Sequence, residues 1–339
     1  MRPVGRWSVT AASRAVVRQE GGKGDMSGEG QVGGRVLGRG INFGNALEAA
    51  AEGEAGFRLE RRYFEMVKAV GFDTLRLPVR WSPHIGGAPP YEIDRSFLDR
   101  VDWAIDAALG AGLKTVVNWH HYPELCEGFA GHEERFLAVW RRLAEHFSGL
   151  AEDVYFELLN EPYAMTPESW NSLLARALAV VRGSNPGRGV IVGPVDWNNI
   201  GSLGVLEIPP DDNVVVTVHY YSPMEFTHQG AHWVSDRDLP EGTRWNIEDG
   251  GPAVAHDLDQ AAAWARQRGL PLFIGEFGAY EKAVMGDRAA WTKCVRTEAE
   301  RRGASWAYWD FGTDFGAYDC RADRWRLPLK EALLGRDGG

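Results

Sequence analysis

The sequence predicts an α/β protein built as a single (β/α)8 barrel, and three observations support this fold. Eight short runs rich in β-branched or aromatic residues alternate with amphipathic stretches from Gly38 to the end of the 339-residue chain. Several amphipathic stretches end in glycine just before the next run, as expected where a helix turns back into a parallel strand. No GxGxxG or GxxxxGK(S/T) motif opens a helix, which disfavours the alternative, an open doubly wound sheet.

The predicted elements alternate in the order that a barrel requires. Each strand is a short, mostly apolar run, and each helix is a longer segment whose apolar positions have helical spacing. The strands are predicted at GINF (40–43), TLRL (74–77), TVVN (115–118), VYFELL (154–159), VIV (190–192), VVVTVH (214–219), LFIG (272–275) and SWAYW (305–309). The helices are predicted at 59–71, 94–112, 132–147, 167–183, 256–269 and 288–303, with a solvated loop at 238–251.

Composition narrows the class of partner. The formal net charge is -10, from 37 Lys and Arg against 47 Asp and Glu, so we expect no nucleic-acid partner. No apolar run approaches the roughly 18 residues of a membrane span, and we expect no membrane partner. The 14 tryptophans and 10 tyrosines offer flat faces that suit sugar rings as well as a core. The three cysteines are widely spaced and odd in number, so they are predicted to be free thiols.

Residues 1–35 differ from the rest of the chain. They carry Arg, Gly and Ser without an uninterrupted apolar stretch that could serve as a signal peptide. We expect this leader to be disordered and residues 36–339 to form the barrel domain, as a monomer. Without a signal peptide the cytoplasm is the default location, with secretion as the alternative.

The stretch VYFELLNEPY (154–163) places two glutamates four residues apart at the end of a predicted strand. Side chains alternate along a strand, so Glu157 and Glu161 share a face, with Glu157 about 13 Å deeper in the barrel. A buried carboxylate needs a partner, and Arg76, or less favourably Arg80, is the candidate. Glu157 is therefore predicted to be structural, and Glu161, at the rim, to be available for chemistry.

A second glutamate, Glu276, ends the seventh predicted strand in FIGEFGAY. The carboxyl ends of barrel strands converge on one face, so Glu161 and Glu276 are expected to face each other across the mouth. Two such carboxylates are what double-displacement glycoside hydrolysis requires.

The strand-end motifs resemble those of glycoside hydrolase family 5, the cellulase family of clan A. GNALEA, NWHHY, LNEP, HYYSPMEFTHQGA, GEFGAY and WAYWDFG occur in this order between residues 38 and 335 and are closest to those of thermophile-type endo-β-1,4-glucanases. The resemblance implies hydrolysis of β-1,4-linked glucans, with mannan as a second candidate substrate and with no metal or cofactor. It implies Glu161 as acid/base and Glu276 as nucleophile, supported by Arg76, His120, Asn160, His219, Tyr221 and Trp309. It also implies a glycan-binding cleft formed by Asn45, Glu48, His121, His228 and Trp233.

Physical roles follow for the main groups. Arg76 and the Tyr221 hydroxyl would lower the pKa of Glu276 and keep it ionised. The charge on Glu276 would raise the pKa of Glu161 until the covalent intermediate removes that charge. Asn160 could donate to the sugar 2-hydroxyl, and Trp309 would form a stacking floor.

Two rival functions are weighed against this hypothesis. His120 and His121 could bind a metal in a barrel metallohydrolase, but the chain lacks an H-x-H strand motif. Adjacent residues of a strand also point in opposite directions. A non-catalytic glycan-binding barrel would need only the aromatic residues, so the two glutamates disfavour it.

Overall fold

The computed structural model describes residues 37–234 and 239–335, and eight parallel strands within them close into a barrel. Each strand pairs with the next along the chain, and β1 (Arg39–Asn42) pairs with β8 (Ser305–Tyr308) to complete the ring. The predicted (β/α)8 barrel is confirmed and the open sheet is excluded. The predicted leader, residues 1–35, lies outside the described residues.

The remaining elements follow in chain order around the ring. The other barrel strands are β2 (Thr74–Leu77), β3 (Lys114–Asn118), β4 (Val154–Glu157), β5 (Val190–Val192), β6 (Val214–Tyr220) and β7 (Leu272–Phe277), and a small hairpin comprises β9 (Tyr318–Asp319) and β10 (Arg324–Trp325). The helices are α1 (Arg61–Ala69), α2 (Arg95–Gly110), α3 (Pro123–Glu127), α4 (Glu133–His146), α5 (Pro167–Ser184), the turn α6 (Val195–Asn198), α7 (Met224–Thr227), α8 (Ile247–Gln267), α9 (Met285–Arg301) and α10 (Leu327–Leu334). Two 3-10 segments cover Ser82–His84 and Ile200–Val205.

The barrel interior is apolar at its base. One cluster of buried side chains fills the amino-terminal end of the strands and consists of Leu37, Val116, Tyr155, Ile191, Val215, Phe273 and Ala307. Because this plug excludes water, the inward-facing polar groups lie nearer the carboxyl-terminal mouth, where barrel enzymes carry their sites.

Two predicted boundaries are wrong in ways that bear on the site. The regular strand β4 ends at Glu157, so strand alternation does not carry through to Glu161, whose φ is 48°. Helix α8 begins at Ile247, inside the predicted loop 238–251, because the Asn246 side chain caps it and it packs on α9. The glycines and Pro252 of this segment lower its helix propensity and so concealed the helix.

The described part of the chain has no helix with the length and apolarity needed to cross a bilayer. Cys126, Cys294 and Cys320 are free thiols, as predicted.

Candidate active site

Arg76, buried on β2, organises the mouth of the barrel. Its Nε and Nη2 donate to the two carboxylate oxygens of Glu157, both at 2.7 Å. Nη1 donates to Glu276 Oε1 at 2.7 Å, and Nη2 also donates to Asn160 Oδ1 at 2.6 Å. Arg76, and not Arg80, is therefore the partner of Glu157, and the same guanidinium reaches the candidate nucleophile.

Glu276 lies near the end of β7 and is buried. The Tyr221 hydroxyl donates to its Oε2 at 2.8 Å, while Arg76 holds its Oε1. Burial raises the pKa of Glu276 and outweighs the opposing effects of His219 and Arg76. Arg76 and Tyr221 both lower the pKa of Glu276, as predicted, but burial outweighs them and the net shift is upward.

Glu161 lies beyond the end of β4, with a side chain that is 25% exposed. Its Oε1 is 2.6 Å from His219 Nδ1. Loss of solvation raises the pKa of Glu161 to about 7, with Arg76 lowering it and Glu157 raising it. The direction matches the prediction, but its main cause is desolvation and not the charge of Glu276.

A β-bulge brings His219 to this pair. The register between β6 and β7 shifts after Val218 and Ile274, so that His219 pairs with Glu276. The extra residue is Gly275, where a Cβ would lie 3.0 Å from His219 Nε2. Glycine at this position therefore lets the imidazole pack against the strand, with Nδ1 3.7 Å from Glu276 Oε2.

His120 follows β3, and its ring lies parallel to that of Trp309 with centroids 5.4 Å apart. Asn118 Oδ1 accepts the Val79 N–H, so its Nδ2 faces His120 Nδ1 at 3.1 Å. Burial lowers the pKa of His120 well below its ordinary value, and the neutral ring carries its hydrogen on Nε2. His120 therefore offers a donor beside the flat face of Trp309.

Asn45 and Glu48 lie on the loop after β1. Asn45 donates from Nδ2 to Thr313 Oγ1 at 2.8 Å and from its backbone to Glu48 Oε1 at 2.5 Å. Burial raises the pKa of Glu48 to about 8, so this carboxyl is protonated at neutral pH. The adjacent Gly44 leaves room for Trp309, whose ring a Cβ would approach to 2.8 Å.

The other predicted cleft residues lie around this centre. His121 is exposed and His120 is buried, but their rings meet edge to face with centroids 4.5 Å apart, so beyond the end of β3 the two side chains do not take the opposite orientations expected of a strand. His228 packs against Tyr221 with ring centroids 4.9 Å apart. Trp233 is 45% exposed, with its ring 6.5 Å from that of His228, so these three side chains form one aromatic wall.

Trp197 was not identified as a candidate site residue by the sequence analysis. It belongs to turn α6, where residues 196–198 all have positive φ, at 60°, 60° and 57°. Its ring stacks on Tyr163 at 5.3 Å, and its backbone N–H donates to Pro162 at 3.2 Å. The tryptophan therefore lies against the segment that carries Glu161. The sequence feature that could have identified Trp197 as a site residue is its position five residues after the end of a predicted strand.

Glu161, His219 and Glu276 each offer one metal-ligating atom, and these atoms lie within 4.8 Å of one another. Zinc accepts these donor types. However, the Arg76 guanidinium is 2.7 Å from Glu276 and would repel a dication. The donor set therefore fits a carboxylate pair better than a resident metal ion.

A barrel with paired carboxylates at the ends of its fourth and seventh strands has the architecture of a glycoside hydrolase. The model of the family Cellulase (glycosyl hydrolase family 5) matches residues 47–315. The chain therefore belongs to the cellulases of glycosyl hydrolase family 5.

Individual relatives agree with this assignment. Endoglucanase H of Acetivibrio thermocellus is 36% identical over 286 residues, which cover 84% of this chain and 30% of that protein. Endoglucanase A of Ruminococcus albus is 28% identical, covering 84% of this chain and 86% of that protein. The chain spans about a third of the length of Endoglucanase H and of the Cellulase/esterase CelE of A. thermocellus.

Solved structures give the same result. Thermotoga maritima Cel5A in complex with cellobiose is 43% identical, with a TM-score of 0.86, covering 88% of this chain and 98% of that one. Its complex with mannotriose is 42% identical, with a TM-score of 0.86 and the same coverage.

Proposed function

We propose that the chain is a retaining, endo-acting glycoside hydrolase that cleaves internal β-1,4 linkages of soluble glucans. The observation that carries this proposal is that carboxylate oxygens of Glu161 and Glu276 approach within 4.8 Å. Retaining enzymes keep their two carboxyl groups about 5–5.5 Å apart, whereas inverting enzymes need roughly 6.5–9.5 Å to admit a water. The endoglucanase names of the relatives support the choice of a β-1,4-glucan.

Glu276 is the nucleophile in this proposal. Arg76 and Tyr221 each hold one of its oxygens, which orients the carboxylate and stabilises its ionised form. An oxygen of Glu276 attacks the anomeric carbon and forms the glycosyl ester, while the bond to the leaving oxygen breaks. Water then cleaves the ester and regenerates the carboxylate.

Glu161 is the acid/base. With a pKa of about 7, it is protonated below neutral pH and donates its proton to the leaving oxygen. In the second step the ionised carboxylate takes a proton from the attacking water, and the cycle closes. His219, 2.6 Å from Glu161, orients the carboxyl group.

The surrounding groups supply sugar contacts. Arg76 occupies Asn160 Oδ1, so the Asn160 Nδ2 is left to donate to the 2-hydroxyl, a bond that strengthens in the transition state. The Nε2–H of His120 and the face of Trp309 bind the same sugar. Trp197, stacked on Tyr163 two residues after Glu161, is the platform for the leaving-group side.

Reducing-sugar release from soluble cellulose, mixed-linkage glucan, glucomannan, galactomannan and xylan tests the activity. Glu276→Gln is expected to abolish turnover, while Glu281→Gln, at an exposed glutamate in the loop after β7, retains it. Glu161→Ala is expected to accumulate the intermediate from an activated aryl glycoside, and azide should accelerate its breakdown. Appreciable turnover by Glu276→Gln, or failure of azide rescue, contradicts these roles.

We further propose that the site accepts β-1,4-mannan. Glucose and mannose differ at C2, so dual use needs polar groups that reach either orientation. Asn45, Glu48, His120, His121 and Asn160 supply donors and acceptors around the cleft, and Thermotoga maritima Cel5A has been solved with both cellobiose and mannotriose. A kcat/KM on mannan below roughly a thousandth of that on glucan, a difference of about 4 kcal/mol, defeats this proposal.

A further inference from the structure

Asn198 is a fully buried side chain to which the catalytic cycle above gives no role. It ends turn α6, and its Nδ2 lies 3.3 Å from His219 Nε2. Its Oδ1 has no hydrogen-bond partner among the described residues. Burying an amide costs free energy unless it is hydrogen-bonded, and the contact with His219 is the bond that offsets this cost.

The backbone is shaped to bring this amide to the histidine. Residues 196–198 are all in the left-handed region, which costs on the order of 1 kcal/mol or more for each non-glycine residue. A Cβ at Gly193 would collide with the Asn198 carboxamide, so the close approach also requires glycine on the neighbouring strand end. Strained backbone of this kind concentrates at functional sites.

The amide specifies where the hydrogen of His219 resides. Burial lowers the pKa of His219 to about 4, so the ring is neutral and carries one N–H. Asn198 presents its donor Nδ2 to Nε2, and Nε2 must then accept. The hydrogen therefore resides on Nδ1 and is donated to Glu161 Oε1 at 2.6 Å.

His120 shows the opposite arrangement in the same site. Asn118 donates to its Nδ1, which leaves the hydrogen on Nε2. The orientation of Asn118 is anchored by the Val79 N–H. Two asparagines thus give two neutral histidines different tautomers, one suited to binding a ligand and one to contacting a carboxylate.

We propose that Asn198 is a positioning residue that holds His219 in its Nδ1–H tautomer and thereby stabilises the ionised form of Glu161. The proposal rests on the proposed function, in which Glu161 must be ionised to activate water. Without the amide, His219 can carry its hydrogen on Nε2. Its Nδ1 then offers a lone pair to Glu161, which favours the protonated carboxyl.

Other titratable groups also face Glu161 and His219 from the surrounding strands and loops. They are Arg76 on β2, His120 after β3, Glu157 on β4, Tyr221 after β6 and Glu276 on β7. In the described part of the chain none of them is hydrogen-bonded to the Asn198 side chain. Replacing Asn198 therefore leaves their charges in place and alters the tautomer of His219 alone.

The pH dependence of kcat/KM tests this role. Asn198→Gly removes the amide and relaxes the left-handed backbone, whereas Asn198→Ala removes the amide and keeps the constraint. Both are expected to raise the alkaline limb by about 1–2 pH units, the effect of one lost hydrogen bond to the ionised carboxylate, with the acid limb unchanged. The matched control Asp196→Gly relaxes the same turn at an exposed position and should keep the wild-type profile. A uniform loss of activity with wild-type limbs overturns the proposal.

A spectroscopic measurement tests the tautomer of His219 independently of enzymatic activity. Nitrogen-15 spectra distinguish Nδ1–H from Nε2–H imidazole, and the His219 signals are those missing from His219→Gln. We expect the Nδ1–H form in the wild type and a shift toward Nε2–H in Asn198→Gly. The Nε2–H form in the wild type refutes the proposal even in an active enzyme. The Nδ1–H form in a protein that hydrolyses no glycan refutes the proposed function alone.

Discussion

Replacing Arg76 by methionine is expected to destabilise the barrel and to impair Glu276, the proposed nucleophile, through two separate contacts. The guanidinium is fully buried and supplies both hydrogen bonds that reach the Glu157 carboxylate within the described residues. It also holds Glu276 at 2.7 Å. Removing one partner of a buried ion pair leaves an uncompensated charge and costs about 3–5 kcal/mol. For a domain of this size, that corresponds to a fall in Tm of roughly 5–8 °C.

The double variant Arg76→Met/Glu157→Leu separates the two roles. Because apolar replacement of a whole buried pair is often neutral, most of the lost stability should return, to within about 2 kcal/mol of the wild type. Activity should not return, because Glu276 still lacks the guanidinium that opposes its raised pKa.

Denaturant unfolding and kcat/KM on a soluble β-1,4-glucan measure the two effects on the same proteins. The acid limb of kcat/KM should move to higher pH in both variants, as Glu276 becomes harder to ionise. A cost below about 1 kcal/mol for Arg76→Met, or a double variant as unstable as the single one, would refute this account of Glu157 as the structural partner.

Three further predictions concern other parts of the site. The folded pKa of Glu48, about 8 against 4.5 for an unperturbed carboxyl, gives stability that is complete below pH 4.5 and is lost as the pH rises through 8. Glu48→Gln should therefore raise Tm relative to the wild type at pH 9 by several degrees more than at pH 5, and equal Tm differences at both pH values would contradict this. Trp197→Ala should reduce kcat/KM on polymeric glucan by about tenfold while sparing an activated aryl glycoside, and equal losses on both would argue against a leaving-group platform. Exhaustive chelation should leave the rate unchanged, whereas loss with EDTA and recovery with zinc would favour the metal-dependent rival.

Strand positions were predictable where burial alone specifies them. VIV is apolar on both faces and TLRL alternates two leucines with Thr74 and Arg76; all seven residues are buried, and β5 and β2 occupy them without change. The prediction failed where tertiary contacts decide the backbone. Residues 158 and 159 continue the apolar run of β4, yet the regular strand stops at Glu157. Glu161 itself has a positive φ, and strand periodicity cannot reveal such a backbone conformation.

The site was predictable where it lies at the carboxyl ends of strands. This rule placed Glu161 and Glu276 together and paired Arg76 with Glu157. It could not give the direction of the Glu276 pKa, because that depends on how deeply the carboxyl is buried between neighbours from other strands. Asn198 belongs to no motif. Its position beside His219 comes from a turn geometry that only the folded chain displays.

The consecutive placement of Trp197 and Asn198 has a practical consequence for protein engineering. Trp197 stacks on Tyr163, and Asn198 is buried against His219. A loop graft or a randomised library that rebuilds the tryptophan for another polysaccharide also displaces the amide behind the histidine. Under the roles proposed above for Trp197 and Asn198, substrate range and working pH are inherited together from this turn, and variants selected at a single pH will report a mixture of the two traits.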